Sequence, residues 1–312
     1  MSPLQNSPSS VDQEDLHREL RAAGILYSKL VRPTAIRPLL DIGFDWTVIL
    51  SGMLALHHIG CWSWPVVTIL IGNRQRALGN LLHDAAHRNL ANGHNLNDGI
   101  AQVFLTPPLF NNLTLYREAH ARHHAWLGNP ALDPDYITPA ATAESSWWPA
   151  YCSCLCSYAN WLSSISGHLC APNATFLQKF TILLWWVALL SALSCWINAR
   201  FATEFFIEWM LAKATTFHAI TTFREMCDHF GLRPGGIFSF TRDLSTVSPL
   251  SLWIHPRNNG YHLTHHLMPS IPYYRLHQAH AAIEKLPLYH KRASVCDAYF
   301  RGSNAVVRDW SR

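Results

Sequence analysis

Residues 46–73 read WTVILSGMLALHHIGCWSWPVVTILIGN, 28 positions without a formal charge. Gly60, Ser63 and Pro65 interrupt the run near its middle. Proline is tolerated in the first turn of a helix but not in its interior, so Pro65 opens a new helix. The stretch predicts a tight helical hairpin: one arm from Phe44 to Ile59, a turn over Gly60–Trp64, and a second arm starting at Pro65. Each arm falls short of the ~20 residues a bilayer usually asks for. The second also carries Arg74 and Arg76, so it must emerge into water or a polar cavity before His83.

Further along, Phe180–Ala199 is the one clean span, with 20 uncharged residues. Glu204–Phe223 follows, weakened by Glu208 and Lys213, and is expected to return as the other arm of a second hairpin. The fold expected is all-α and integral to a membrane, with four spans in two hairpins and a cytoplasmic helical cap. Orientation follows from the basic residues. Arg18, Arg21, Lys29, Arg32 and Arg37 precede the first span, Gly60–Trp64 is uncharged, and Arg233, Arg242, Arg257, Arg275, Lys285, Lys291 and Arg292 fall in the last third. By the positive-inside rule both termini and everything between the hairpins are cytoplasmic. Ser145–Gln178, 34 uncharged residues rich in Trp, is expected to lie flat in the headgroup zone rather than dip into the bilayer.

Composition agrees with a chain that is only partly membrane. Of 312 residues, 14% are charged, against roughly 25% in a typical soluble chain. There are 13 Trp and 19 His, a balance that argues against disorder and against a nucleic-acid binder. The net charge of +4 is too small, and too dispersed, to suggest a polyanion partner. Mean hydropathy is only +0.02, too low for a plain bundle of lipid-facing helices. The eight Cys form no CxxC pair and read as small apolar fillers. Met1–Asp15 has no apolar run, so a short disordered lead-in is expected there and no cleaved signal peptide. Residues 1–40 form an N-terminal segment, 41–300 a single membrane domain and 301–312 a tail.

Eight histidines fall into three clusters: His83-Asp84-Ala85-Ala86-His87, His120-Ala121-Arg122-His123-His124 and His262-Leu263-Thr264-His265-His266. On a helix, spacings of three and four place side chains on one face, so each cluster aims its imidazoles one way. Any single His is more often a hydrogen-bonded surface or interface residue than a ligand, but chance does not explain one HxxxH and two HxxHH patterns. Imidazoles suit Zn, Cu, Fe and Ni. Eight nitrogens are too many for one tetrahedral zinc, which implies two metal ions. The HExxH of a metalloprotease is absent.

HDAAH, then YREAHARHH followed by GNPALDPD, then NNGYHLTHHLMPSIPYYRL together resemble the three histidine boxes of the membrane fatty acid desaturase family. That family includes acyl desaturases, related hydroxylases and carotenoid ketolases. The resemblance runs from about Phe44 to Leu288, and its most specific part is the third box with its Pro-Tyr-Tyr tail. It implies two iron ions in a histidine-only centre, with O2 as co-substrate, removing hydrogen from an unactivated carbon. It also implies a ninth ligand after the last membrane helix, a position that His229 in REMCDHFG fits. Metal ligands on this reading are His83, His87, His120, His123, His124, His229, His262, His265 and His266. Glu225 lies one turn before His229 and reads either as a helix-surface residue or as a group that orients a ligand or holds a metal-bound water. Asp84, Asp133, Asp135 and Asp228 are candidate acceptors for the ring N–H groups of the ligands.

Other residues have plainer roles. His57 and His58, near the outer end of the first span, read as packing or interface residues. His218 lies eleven residues before His229, about 16 Å away along a helix, and reads as a core polar contact before a channel-lining one. His277 and His280 are expected on a short amphipathic helix against the membrane surface. Trp147, Trp148, Trp161 and the Phe104–Phe110 stretch are candidate walls of a substrate tunnel.

Two electrons must come from outside. There is no HPGG haem signature, since His255-Pro256 runs into Arg257-Asn258, and no iron–sulfur Cys set or GxGxxG. A separate ferredoxin, rubredoxin or cytochrome b5-type donor is expected, with Arg122, Arg257 and Arg275 as a basic docking surface. The expected activity is desaturation of an acyl or similar aliphatic chain. A hydroxylase or ketolase would use the same centre, and a His-rich metal transporter would instead place ligands near the bilayer midplane.

Overall fold

The computed structural model describes residues 7–137, 146–246 and 248–311. Its first element corrects an expectation. The chain is helical from Pro8, because Ser7 caps the N-terminus by accepting from the Ser10 amide and Pro8 occupies the first turn. This helix, α1 (Pro8–Ala22), buries Leu16 and Leu20 against the core, and its buried Asp12 pairs with Arg292. An apolar stripe too sparse to register in a composition reading is enough once it has a surface to cover.

The first hairpin forms as α2 (Ile36–Ile59) and α3 (Trp64–Ala86), with the reversal at Gly60, whose φ of 88° is a conformation open to glycine. Helix α3 does not break at its arginines and runs unbroken to the first histidine cluster. Then come α4 (His94–Phe104) and α5 (Leu113–Ala125), the latter capped by Asn112 through the amides of Thr114 and Leu115. From Ser146 on, the uncharged stretch folds as α6 (Trp147–Leu155) and α7 (Tyr158–Ser166), nine residues each and too short to cross a bilayer.

The second hairpin pairs α8 (Phe176–Trp196), opened by a Thr175–Gln178 capping box, with α9 (Ala199–Ala212). Helix α9 continues through a π-helical segment, Lys213–Phe217, into α10 (His218–His229). The π segment lies against α3 at Gly72. A Cβ there would stand 2.5 Å from Thr216 Cβ and 2.8 Å from the Phe217 amide nitrogen, so the close approach requires glycine. The remaining helices are short: α11 (Ile237–Phe240), α12 (Pro249–Ile254), α13 (His262–Leu267), α14 (Leu276–Ile283) and α15 (Pro287–Arg292). Two short parallel strands, Asp243–Leu244 and Val295–Cys296, tie this cap together.

Two helices, Ile36–Ile59 and Phe176–Trp196, are long and apolar enough to cross a membrane. Their partner arms carry Arg74 and Arg76, or Glu204, Glu208 and Lys213, so among the described residues two of the four expected spans pass on length and composition. The hairpins are joined by polar as well as apolar contacts. His57 Nδ1 meets Glu204 Oε2 at 2.6 Å, as an interface residue would, and Trp46 stacks on Trp209 with centroids 5.5 Å apart. His218 is a core contact, bonded to Ser164 Oγ at 2.8 Å and the Leu155 carbonyl at 2.9 Å.

Candidate metal centre

Four helix ends converge on one point. Helix α3 brings His83 and, at its cap, His87; α5 brings His120, His123 and His124; α10 ends on His229; α13 carries His262, His265 and His266. The nine imidazoles sort into two adjoining groups, each with its donor atoms within 4.8 Å of one another and able to hold a metal ion. One comprises His83, His87, His120, His124 and His265; the other comprises His123, His229, His262 and His266. The rings of His124 and His266, one from each group, stack with centroids 4.1 Å apart.

Within each group the Nε2 atoms face each other. His120 Nε2 is 2.7 Å from His87 Nε2 and 3.1 Å from His124 Nε2, and His124 Nε2 is 3.2 Å from His265 Nε2. In the second group His262 Nε2 stands 3.0 Å from the Nε2 of both His229 and His266, and His123 Nε2 is 3.3 Å from His266 Nε2. A neutral imidazole has one donor and one acceptor nitrogen. His229 Nδ1 donates to the Phe240 carbonyl at 2.8 Å, so its Nε2 carries a lone pair aimed at the other rings. The buried Nε2 of His83 and the Nδ1 atoms of His262, His265 and His266 have no hydrogen-bond partner among the described residues. Lone pairs gathered this way repel unless a cation lies between them. An imidazole nitrogen binds a metal at about 2.0–2.1 Å, which puts neighbouring donors roughly 3 Å apart, as here. The donor set fits two metal ions.

Burial keeps these rings in the neutral form that can bind a metal. It pushes His83, His120, His124, His262, His265 and His266 well below the usual histidine range, and the neighbouring imidazoles push the same way. For the same first reason His87 falls to about 3 and His229 to about 4. His123 goes the other way. Burial lowers it, but the hydrogen bond that His123 donates to Asp133 and the charges of Asp135 and Asp133 outweigh that and raise it.

The acidic candidates separate in space. Asp133 Oδ1 is 2.8 Å from His123 Nδ1, and its Oδ2 accepts the Gly128 amide at 2.8 Å. Asp135 is exposed and approaches His123 Nδ1 only to 3.9 Å. Asp228 lies 3.5 Å from His262 Nδ1 while ion-paired with Arg224. Asp84 turns away to the Tyr273 amide at 3.0 Å, tying the first box to the tail of the third, and burial raises it to about 8. Glu225 is half-buried and lies outside both histidine groups.

Three further acids shape the site, though nothing in their sequence spacing marks them. Asp243 is fully buried and holds α13 by its first turn: it accepts from the Thr264 amide at 3.0 Å and hydroxyl at 2.6 Å, and from Tyr289 at 2.7 Å. His280 Nδ1 joins it at 3.0 Å, so His280 faces the cap interior and not a membrane surface, while His277 on the same helix is exposed. Asp41 and Asp45 receive Arg257, at 2.9 and 2.7 Å, which removes Arg257 from any docking surface. Arg257 holds φ at 65° to reach them. Trp147 packs against Phe223 and Trp310 in a second apolar cluster, Trp148 and Trp161 are largely exposed, and Phe110 is buried against Trp186.

Comparison with known proteins agrees with this geometry. The family model described as "Fatty acid desaturase" matches residues 60–296. The dihydrorhizobitoxine desaturase of Bradyrhizobium elkanii is 27% identical over 284 residues, covering 85% of this chain and 80% of that protein. With four converging helix ends, nine facing imidazoles and a match over most of its length, the chain is an oxidoreductase that belongs to the fatty acid desaturase family.

Proposed function

We propose that the protein is a membrane-embedded, O2-dependent desaturase that forms a carbon–carbon double bond in an acyl or similar aliphatic chain. The observation that carries this reading is the convergence of nine imidazoles as two adjoining groups with their Nε2 atoms inward. Five histidines would hold one iron ion and four the other. Two iron ions with O2 would supply the oxidising power that acid–base and nucleophilic side chains lack toward an aliphatic C–H bond. The chain's own residues do the rest. Asp133 and the Phe240 carbonyl set ring tautomers, Asp243 and Asp84 hold the third box in register, and the short cap helices keep the imidazoles from bulk water.

The histidine groups lie at helix ends, which supports a site just beneath a bilayer crossed by both hairpins, with termini and cap cytoplasmic. A midplane site, as a transporter would need, lacks support. Two electrons would arrive from a ferredoxin, rubredoxin or cytochrome b5-type protein. Arg122, exposed on the outer face of α5, would contribute to its docking.

The test is direct. The purified chain should contain close to two irons, and with a reducing system it should yield products two mass units lighter than the substrate. Products sixteen units heavier would make it a hydroxylase, and a zinc-only protein that retains turnover would overturn the di-iron assignment. The Bradyrhizobium relative's name gives its substrate as dihydrorhizobitoxine, and that compound belongs in the substrate panel beside acyl chains.

A further inference from the structure

His255 is 4% exposed and belongs to neither histidine group. It ends α12, where its amide returns to the Ser251 carbonyl at 2.8 Å. The residues around it are pinned to α3, since Asn73 donates to the Trp253 carbonyl and Asn80 to that of Pro256, each at 2.7 Å. The backbone that carries the ring is thus fixed from both sides. The ring stacks on that of Tyr299, with centroids 5.7 Å apart, and its Nδ1 is 2.8 Å from the Tyr299 hydroxyl. Its Nε2 lies 3.4 Å from Asp228 Oδ1. Both of these atoms are buried, and among the described residues neither has a hydrogen-bond partner at shorter range.

Asp228 is where this side chain meets the metal centre. Its Oδ2 accepts from Arg224 Nε at 2.8 Å, one turn back on the same helix, and lies 3.5 Å from Nδ1 of His262, a member of the second histidine group. Donors and acceptors fit together in one way. A carboxylate only accepts, so His255 must present Nε2–H to it; the neutral ring then keeps a lone pair on Nδ1, to which Tyr299 donates. By the same rule His262 presents Nδ1–H to Asp228, which leaves its Nε2 lone pair facing His229 and His266. Arg224 alone grips one oxygen and leaves the carboxylate free to turn about its last bond. A donor on Oδ1 stops that rotation and fixes Oδ2 against His262. Tyr299 is held in turn by the end of the chain. The Val307 amide donates to its carbonyl at 3.3 Å, the Val306 amide to that of Ala298 at 2.9 Å, and Asp309 accepts from the buried Arg242 at 3.0 Å.

We propose that His255 is a positioning residue for the second metal site, acting through Asp228 on His262 and kept in the required tautomer by Tyr299. An outer partner of this kind fixes the ring orientation and proton position of a ligand, and so sets how tightly the metal is held. The site it serves is that of His123, His229, His262 and His266; the five-histidine group stands outside this chain of contacts. The assignment rests on reading the nine histidines as two metal sites, and not on the reaction they serve.

The iron-loaded, full-length chain in detergent would be challenged with rising concentrations of a coloured Fe(II) chelator, and the iron it keeps would be counted. His255→Phe should hold one of its two irons about 10–100-fold more weakly than the wild type, the usual loss when an outer partner is changed, and the other iron as before. His255→Gln, whose side-chain amide offers an N–H in place of Nε2–H, should recover most of that loss. Tyr299→Phe, which keeps the ring and removes only the hydroxyl, should weaken the same iron by less. The loss should add to that of His83→Ala, which removes a ligand of the first group, and not to that of His266→Ala, which removes one of the second. A role in packing alone would weaken both irons together, as Gly72→Ala, which strains the bundle without touching Asp228, serves to show. Both irons held as in the wild type, or weakened together, in His255→Phe overturn the proposal, and so does a His255→Gln chain no better than His255→Phe. Should His255→Phe not fold, Tyr299→Phe decides alone, and unchanged retention of both irons overturns the proposal. A wild-type chain that holds a single iron overturns the two-site reading itself, and the positioning role with it, before any variant is made.

Discussion

Asp133 holds His123 from outside the metal centre, with Oδ1 2.8 Å from Nδ1 and both side chains buried. The carboxylate is itself anchored by the amides of Gly128 and Asp135, and its pKa is lowered because these bonds and His123 outweigh burial. The proton is thereby kept on Nδ1, and Nε2 is presented to the second histidine group as a lone pair.

Asp133→Asn should weaken metal binding or turnover by roughly 10–100-fold, the usual loss when such an outer partner is changed. Asp135→Asn, on an exposed side chain 3.9 Å away, should cost much less. Metal analysis and turnover on the two purified variants decide this, and equal losses would show that the contact does not act through His123.

Arg257 joins the loop before the third box to α2 through Asp41 and Asp45. Asp45 is fully buried and Arg257 nearly so, and without Arg257 the two acids keep only Arg74, on Asp45, and Arg37, on Asp41. Arg257→Gln should lower stability by about 1–3 kcal/mol, the scale of lost hydrogen bonds to charged groups, because each acid retains another arginine. Thermal melts in detergent would show it, and a variant that melts with the wild type would return Arg257 to the surface.

Gly72→Ala should loosen the contact between α3 and the π segment, because the new methyl would collide with Thr216 and the Phe217 backbone. Overpacking of this kind costs about 1–3 kcal/mol. The melting temperature reads it, with Gly43→Ala, which meets nothing within 4 Å, as the control.

The metal-free protein should lose stability as pH falls below 6.5. His87 and His229 titrate near 6.5 when unfolded but only at about 3 and about 4 when folded. Between those values the unfolded chain binds more protons, which favours unfolding as acid is added. His123, raised in the fold, opposes the trend weakly against eight lowered rings. Melting temperatures from pH 8 to pH 5 should fall steadily below pH 6.5; a flat profile would mean the rings are not buried as described.

The histidine clusters were legible because a helix repeats on a period that spacings of three and four betray in sequence, and each cluster does sit on a helix or at its cap. The hairpin turn at Gly60 and the plain roles of His57 and His218 followed from equally local signals. Asp243, Arg257 and His280 were not legible. Asp243 meets Thr264, His280 meets Asp243 and Arg257 meets Asp41 across 21 to 216 positions, and no period links residues brought together only by packing. The same reason hid the order at Pro8, whose helix has a modest stripe and needed the cap to bury it.

What the sequence alone determined about this protein is which side chains can bind metal and that they fall on helices, since both depend on residue type and short-range geometry. Only the tertiary structure decided how nine rings divide into two groups and which acids hold them. Burial and charge pairing are properties of the packed bundle, set by contacts between distant segments.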